Sequence, residues 1–169
     1  MKRNQGFTIT ELMIAVVIMG VLATLAIPTF TSYIYKARVT EASNFLSEIK
    51  QRQESYRNEF GQYCPVSGAD WGTYSPSGSP GMDPVPWTSN ANWDQLGASP
   101  DGPVRFRYAT VSGFPGDPVP SDTNLDNNDH WFAARALGDL DEDGDDFFLE
   151  IYSQSNKIYN SATGKGGWE

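Results

Sequence analysis

Cysteine and histidine are almost absent from this chain, which has one of each, Cys64 and His130, among its 169 residues. A single cysteine excludes an intramolecular disulfide. A single histidine excludes a metal site with a pair of histidine ligands, and no Cys or Ser lies close to His130 in sequence to suggest a catalytic triad. Phosphate-binding loops and nucleophile elbows are absent as well. The sequence therefore predicts a protein that is not an enzyme.

Basic residues are scarce beyond the first sixty positions. From Gly61 onward the chain has 16 acidic and 5 basic side chains, a net charge of −11, whereas the first sixty residues carry +2. Binding of nucleic acid requires a positively charged surface. We therefore expect no nucleic-acid partner, and we attribute the acidity to solubility.

The N-terminus contains a long apolar run, with no charged side chain between Leu12 and Tyr35. A helix rises about 1.5 Å per residue, so about 20 such residues cross the ~30 Å apolar core of a bilayer. The small residue at the end of the basic leader MKRNQG, Gly6, precedes the apolar run, whereas secretory signal peptides have their cleavage site after it. Cleavage after Gly6 would leave the apolar segment on a mature chain that begins with Phe7.

These residues resemble the N-terminus of the type IV pilin family, which includes the pseudopilins. The resemblance extends from Gly6 to about Phe30 and rests on the basic leader, Gly6, Phe7, Glu11 and Pro28. It implies that a prepilin peptidase and methyltransferase removes residues 1–6 and N-methylates Phe7, and that the N-terminus is cytoplasmic. Thr10 departs from the pattern, because relatives usually have a large aliphatic residue there.

Glu11 is an acid inside the apolar segment, where an unpaired charge is costly. The resemblance implies that it pairs with the amine of Phe7 in a neighbouring subunit during assembly, and we predict that it sets the register between subunits. Opposite charges attract strongly in a low dielectric, and each relieves the desolvation of the other. The resemblance also implies that the helix between Gly20 and Pro28 can lose its helical structure on assembly. A static kink at Pro28 is the alternative.

The chain after Pro28 changes to an amphipathic pattern. Apolar residues recur at steps of three and four, interrupted by Arg38 and Gln53, at the following positions: Ile34, Ala42, Phe45, Ile49, Tyr56 and Phe60. This spacing forms one stripe on a helix, and Gly61 suits the position just after a helix end. We predict one helix over 7–60, apolar in 7–30 and amphipathic in 31–60.

Residues 61–169 are predicted to form a single head domain. Residues 61–103 are rich in Gly, Pro and Ser, and the tryptophans among them favour an ordered surface loop between helix and sheet. Residues 104–160 contain four strand-like segments, VRFRYATV, WFAARAL, FFLEIYS and NKIYN, and residues 161–169 form a tail. The predicted fold is α+β, with a long N-terminal helix packed on a 3–4-stranded antiparallel meander sheet.

The segment GDLDEDGDDFFLE, residues 138–150, matches the calcium-loop pattern D-x-[DN]-x-[DN]-G-x5-E. The ligands would be the side chains of four acids and one backbone carbonyl, at Asp139, Asp141, Asp143, Asp145 (carbonyl) and Glu150. The flanks are predicted strands instead of helices. Two interpretations follow: a hairpin turn that holds Ca²⁺ with an incomplete ligand set, or a solvated acidic turn without metal. No cofactor is required.

The expected function is that of a major pilin, a structural subunit that polymerises through its N-terminal helix for surface motility or adhesion. Its expected partners are copies of itself, the prepilin peptidase and the inner-membrane assembly platform of the pilus. We expect a single-pass inner-membrane pool and then an extracellular pilus of a Gram-negative bacterium. A minor pilin, a type II secretion pseudopilin or a membrane-anchored binding module are the alternatives.

Many pilins close a C-terminal loop with a disulfide, so here another device, such as Ca²⁺ at the acidic turn, is expected to hold that region.

Overall fold

The computed structural model describes residues 6–68, 70–78, 81–140 and 144–161. Two helices, α1 (Ile9–Phe60) and α2 (Ala91–Leu96), precede four strands, β1 (Arg107–Gly113), β2 (Trp131–Gly138), β3 (Phe147–Tyr152) and β4 (Ser155–Asn160). The strands form one antiparallel sheet in the order β1-β2-β3-β4. The predicted α+β fold with a long N-terminal helix and a meander sheet is confirmed. The chain divides into two compact units, Met1–Ala37 and Arg38–Glu169, which are described separately.

Within the second unit, α1 packs on one face of the sheet. Its buried side chains are Ala42, Phe45, Leu46, Ile49, Gln53 and Tyr56. The ring of Phe45 lies edge-on to that of Tyr108 of β1, with centroids 4.7 Å apart. The predicted stripe is therefore buried between Ala42 and Tyr56, but its last residue, Phe60, is 56% exposed because it lies at the end of the helix.

Gln53 interrupts the apolar stripe and is nevertheless fully buried. Its amide pairs with the backbone of Cys64: Gln53 Nε2 donates to the Cys64 carbonyl at 2.9 Å, and Cys64 N donates to Gln53 Oε1 at 2.8 Å. The glutamine thus satisfies two backbone groups of the chain as it leaves α1, which would be costly to bury unpaired. Burial also raises the pKa of the Cys64 thiol to about 11, so this thiol stays protonated at neutral pH.

Among the described residues between α1 and β1, buried aromatic side chains and a short capped helix fix the structure. Trp93 in α2 is 1% exposed, and Trp71 is 9% exposed. Asn90 caps the start of α2, since its Oδ1 accepts hydrogen bonds from the amides of Asn92 and Trp93 at 3.0 and 3.1 Å. Gly97, at φ +70°, ends the helix in the left-handed conformation that glycine adopts without strain. The sequence did not predict α2, because six residues give too short a periodic pattern.

The opposite face of the sheet is covered by two loops that meet a buried arginine. Arg135 of β2 lies directly opposite Glu150 of β3, and its guanidinium bonds to that carboxylate and to Asp122 in the connection between β1 and β2. The guanidinium also lies 4.2 Å from the ring centroid of Trp71, which itself donates to Asp122 at 3.1 Å. One side chain therefore joins the sheet to both covering loops.

The C-terminal hairpin is held to α1 by Lys50. Its ammonium donates to the carbonyls of Tyr152 and Ser155 at 3.1 and 2.7 Å, and to Asn156 Oδ1 at 2.9 Å. These three acceptors lie at the turn between β3 and β4. At the other end of the hairpin, Ser161 exchanges bonds with Phe148: its amide donates to the Phe148 carbonyl at 3.0 Å, and its hydroxyl accepts from the Phe148 amide at 2.8 Å. Hydrogen bonds thus hold the region that was expected to require a device in place of a disulfide.

Candidate assembly site and acidic turn

The first turn of α1 is closed by a capping box formed by Thr8 and Glu11. The Glu11 amide donates to Thr8 Oγ1 at 3.2 Å, while Glu11 Oε2 accepts from the Thr8 amide at 2.9 Å and from its hydroxyl at 2.7 Å. This is the reciprocal pattern that a Thr-x-x-Glu sequence favours at a helix N-terminus. Both bonds to the carboxylate use Oε2, and a carboxylate can accept about four hydrogen bonds. Capping therefore leaves Glu11 able to accept further donors.

The apolar part of α1 is uncovered in the single subunit. Fifteen large apolar and aromatic side chains, that of Phe7 and fourteen in α1, are between 54% and 85% exposed: Phe7, Ile9, Leu12, Met13, Ile14, Val16, Val17, Ile18, Met19, Val21, Leu22, Leu25, Ile27, Phe30 and Tyr33. By length and composition alone, α1 is long and apolar enough to cross a membrane. An apolar surface of this extent requires a cover of lipid or of protein.

Gly20 and Pro28 both lie inside the continuous helix α1. A Cβ added at Gly20 would meet nothing within 4 Å, so packing within the subunit does not require glycine there. Pro28 has no amide hydrogen, which removes the bond to the carbonyl of Thr24. Nearby threonine hydroxyls bond to carbonyls three or four residues earlier, as Thr24 does to Val21 at 2.7 Å. The loss of helical structure between Gly20 and Pro28 stays a prediction about the assembled state.

The acidic turn joins β2 to β3, and part of it falls outside the described residues, including Asp141 and Asp143. Gly144 adopts φ +90°, and its amide donates to Asp139 Oδ2 at 3.1 Å. Within the described ranges, no group of three or more His, Cys, Asp or Glu side chains is arranged to hold a metal ion. Ca²⁺ binding at this turn remains a prediction, and Asp139 and Asp145 are the described residues at its two ends.

Glu150, the last residue of the calcium-loop pattern, does not face the acidic turn as a calcium ligand would; it is buried in the sheet. It lies within β3 and is 3% exposed, and its two carboxylate oxygens bond to Arg135 and to the hydroxyl of Tyr152. The cross-strand register that brings Arg135 opposite Glu150 fixes this pairing. A Ca²⁺ ion bound at the turn would therefore depend on the aspartates, since the carboxylate of Glu150 is already neutralised inside the sheet.

Comparison with known proteins gives a family match at the N-terminus and matches to individual relatives. A family model described as the prokaryotic N-terminal methylation motif matches residues 1–27. A fimbrial protein of Pseudomonas aeruginosa is 46% identical over 55 residues, which are 32% of this chain and 36% of that protein. The type IV major pilin protein PilA of Myxococcus xanthus is 41% identical over 61 residues, 36% of this chain and 28% of that protein. The chain thus spans about a third of the length of these two curated relatives.

A longer match includes part of the head domain. The type II secretion system core protein G of Pseudomonas aeruginosa is 31% identical over 102 residues, 60% of this chain and 70% of that protein. The chain belongs to the type IV pilin family. Because the match is about twice as long as α1, which has 52 residues, the similarity of this pilin to its relatives is not confined to the N-terminal helix.

Some structural residues of this pilin were not predicted from its sequence. The capping box could have been found, since Thr8-x-x-Glu11 is a recognisable signature. The Lys50 contacts and the Arg135 cluster had no local signal, because their partners lie between 13 and 106 residues away in the chain. Such pairs depend on strand register, which the sequence pattern does not fix to the residue.

Proposed function

We propose that this chain is a structural subunit, the major pilin, of a type IV pilus and that it polymerises through its N-terminal helix. The observation that carries the proposal is the uncovered surface of fifteen large apolar and aromatic side chains, Phe7 and fourteen on α1. A bilayer covers this surface before assembly, and the helices of neighbouring subunits cover it in the filament. The head remains outside and forms the filament surface. Relatives named as major pilins and fimbrial proteins support this assignment.

Maturation of the subunit requires cleavage after Gly6 by the prepilin peptidase and N-methylation of Phe7, as the matched methylation motif suggests. The new amine of Phe7 then pairs with Glu11 of a neighbouring subunit in the apolar interior of the filament. The capping box supports this role, because it holds the Glu11 carboxylate in the first turn while leaving acceptor capacity. The same bonds persist after cleavage, since Thr8 keeps its amide.

The inner-membrane assembly platform adds subunits from a single-pass membrane pool in a Gram-negative bacterium, and the pilus serves surface motility or adhesion. A structural role suits the chain, whose relatives are named for filaments and secretion and not for catalysis. The acidic head, with a net charge of −11 from Gly61 onward, disfavours nucleic acid as a partner.

A second candidate is a pseudopilin of a type II secretion system or a minor pilin. The specific observation in favour of a pseudopilin is the match to the secretion core protein G, which covers 70% of that protein, compared with 28% and 36% for the two pilins. The two candidates share the maturation and the helix-mediated assembly. They differ in abundance on the cell surface and in the process that fails when the gene is deleted.

The test is electron microscopy of filaments sheared from cells that express the parent chain, Glu11→Ala or Glu11→Lys. We expect both variants to be processed and to remain in the membrane without forming filaments, while Thr10→Ile, a matched neighbouring change, assembles normally. Normal filaments from either Glu11 variant would contradict the proposal. Deletion of the gene should abolish long surface filaments; if secretion of exported proteins fails while the filaments persist, the pseudopilin replaces the major pilin.

A further inference from the structure

A cleft with a volume of about 390 Å³ lies beside the edge of the sheet formed by β4. Its walls come from the connection between β1 and β2 and from the β3–β4 hairpin, and its lining includes Asp122, Asn124, Glu150, Tyr152, Gln154 and Tyr159. Ligand pockets in proteins usually have volumes of about 300–1,000 Å³. The cleft therefore has room for one or two small rings.

One wall of the cleft is aromatic. The rings of Tyr152 and Tyr159 have centroids 5.1 Å apart and are inclined by 38°, and Tyr159 is 47% exposed. Tyrosine presents a flat apolar face and a polar hydroxyl at low entropic cost. An exposed tyrosine on the outermost strand contributes little to the core, so its face is available to a ligand.

The remaining wall is polar and held in place by internal bonds. Arg135 fixes the carboxylates of Asp122 and Glu150. Gln154 is fixed as well: its Oε1 accepts from the Asp126 amide at 3.0 Å, and its Nε2 donates to the Asp126 carbonyl. Side chains that are already ordered lose little entropy when a ligand binds, which favours affinity. Carboxylates and amides retain lone pairs for hydroxyl donors after these bonds are made.

The charge of the cleft limits the class of ligand. Two carboxylates, Asp122 and Glu150, face a single guanidinium, Arg135, so an anionic ligand would meet an uncompensated negative charge. The polar side chains that line the cleft, which include Asp122, Asn124 and Gln154, disfavour a purely apolar ligand. A suitable ligand has a face of C–H groups, which contacts the aromatic wall. It also has hydroxyl groups at its edge, which donate hydrogen bonds to the fixed acceptors on the opposite wall.

We propose that this cleft binds a neutral saccharide, with a sugar ring against Tyr159 and its hydroxyls donating to the carboxylate of Asp122 and to Oδ1 of Asn124. Tyr152 completes the aromatic wall, and Glu150 forms the base of the cleft. The geometry belongs entirely to the head, so the proposal does not depend on how the subunits assemble.

The test is saturation-transfer NMR on the full chain in detergent, with methyl glucoside, methyl galactoside, N-acetylglucosamine and maltose as probes. We expect transfer to the ring protons of at least one sugar and none to glucuronate. Tyr159→Leu should weaken binding at least about fivefold, whereas Tyr159→Phe, which keeps the ring, should bind like the parent. Phe114→Leu is the matched control at another exposed aromatic, and it should have no effect.

Three results would overturn the proposal. The first is no transfer to any of the four sugars; the second is equal binding by Tyr159→Leu and the parent. The third is transfer to tetramethylammonium without transfer to the sugars, which would identify the cleft as a site for a cationic group. Tyr159 is about half exposed on an edge strand, so its replacement should leave the fold intact. Unchanged tryptophan fluorescence and an unchanged melting temperature of the variants will show that a loss of binding is not caused by unfolding.

Discussion

Replacement of Arg135 by methionine should be among the most destabilising single changes in the head. The arginine side chain is 10% exposed, and it neutralises Glu150, whose side chain is 4% exposed. Burial opposes charging of this guanidinium, but its bonds to Asp122 and Glu150 raise the pKa of Arg135 above its ordinary value. Methionine keeps most of the apolar stem and removes the charge, so the loss of the ion pair is the main effect.

The magnitude follows from the burial of the partner that remains. Removal of one member of a buried ion pair costs about 3–5 kcal/mol, because the other charge is left uncompensated. Asp122, at 45% side-chain exposure, can be solvated, whereas Glu150 cannot. Each kcal/mol lowers the melting temperature of a domain of this size by roughly 2–4 °C, so we expect a fall on the order of 10 °C. Glu150→Gln in the Arg135→Met background should recover most of this loss.

The assay is urea and thermal unfolding of the full chain in detergent, monitored by tryptophan fluorescence, since Trp71 lies against the guanidinium. Arg107→Met is the matched control: it removes a cation from the neighbouring strand, whose pair with Asp146 is 30% and 37% exposed, and should cost only about 0–1 kcal/mol. A loss below about 1 kcal/mol for Arg135→Met, or no recovery in the double variant, would mean that Arg135 does not compensate a buried charge on Glu150.

Three further predictions concern other contacts of the head. Lys50→Met should destabilise the fold by about 1–3 kcal/mol through the loss of three hydrogen bonds and speed amide exchange in the β3–β4 turn, while Lys157→Met leaves both unchanged. Although burial opposes it, bonds from Arg135 and Trp71 lower the pKa of Asp122; its contribution to stability is therefore present above about pH 4 and is lost as pH falls through the folded-state pKa. The difference in unfolding midpoint between Asp122→Asn and the parent should thus be constant from neutral pH to about pH 5 and disappear in stronger acid; a difference that persists there would contradict this. Ca²⁺ should raise the melting temperature of the protein, EGTA should reverse the rise, and Asp139→Asn should remove it. A melting temperature that does not change as Ca²⁺ is added would show that the turn binds no metal.

The parts of the fold that follow a repeating pattern were predictable from the sequence. The period of Ala42, Phe45 and Ile49 predicted the buried face of α1, and the structure buries these residues. Four strand-like segments predicted the 3–4-stranded sheet, and all four segments contain strands, although β1 begins at Arg107, three residues after the predicted start at Val104. Val104 makes only an isolated bridge to Val85, so it extends the pairing without joining the strand.

Contacts that depend on register were not predictable. The sequence presents Glu150 as the last residue of a calcium-loop pattern, and only the pairing of β2 with β3 reveals that it faces Arg135. Ca²⁺ at the acidic turn, one possible device for holding the C-terminal region, stays a prediction, whereas the three hydrogen bonds that Lys50 of α1 makes to the β3–β4 hairpin were not predicted. A lysine on an amphipathic helix usually indicates a solvated position, and nothing local distinguishes one that reaches backbone carbonyls.

If this pilin matures at Gly6 and enters a filament through its N-terminal helix, the filament contains the processed N-terminus. The mass of the N-terminal peptide in filaments sheared from the native cell surface tests this. We expect the dominant chain of this fraction to begin with an N-methylated Phe7. A filament fraction in which the chain still begins at Met1, begins elsewhere than Phe7, or is absent would contradict the claim.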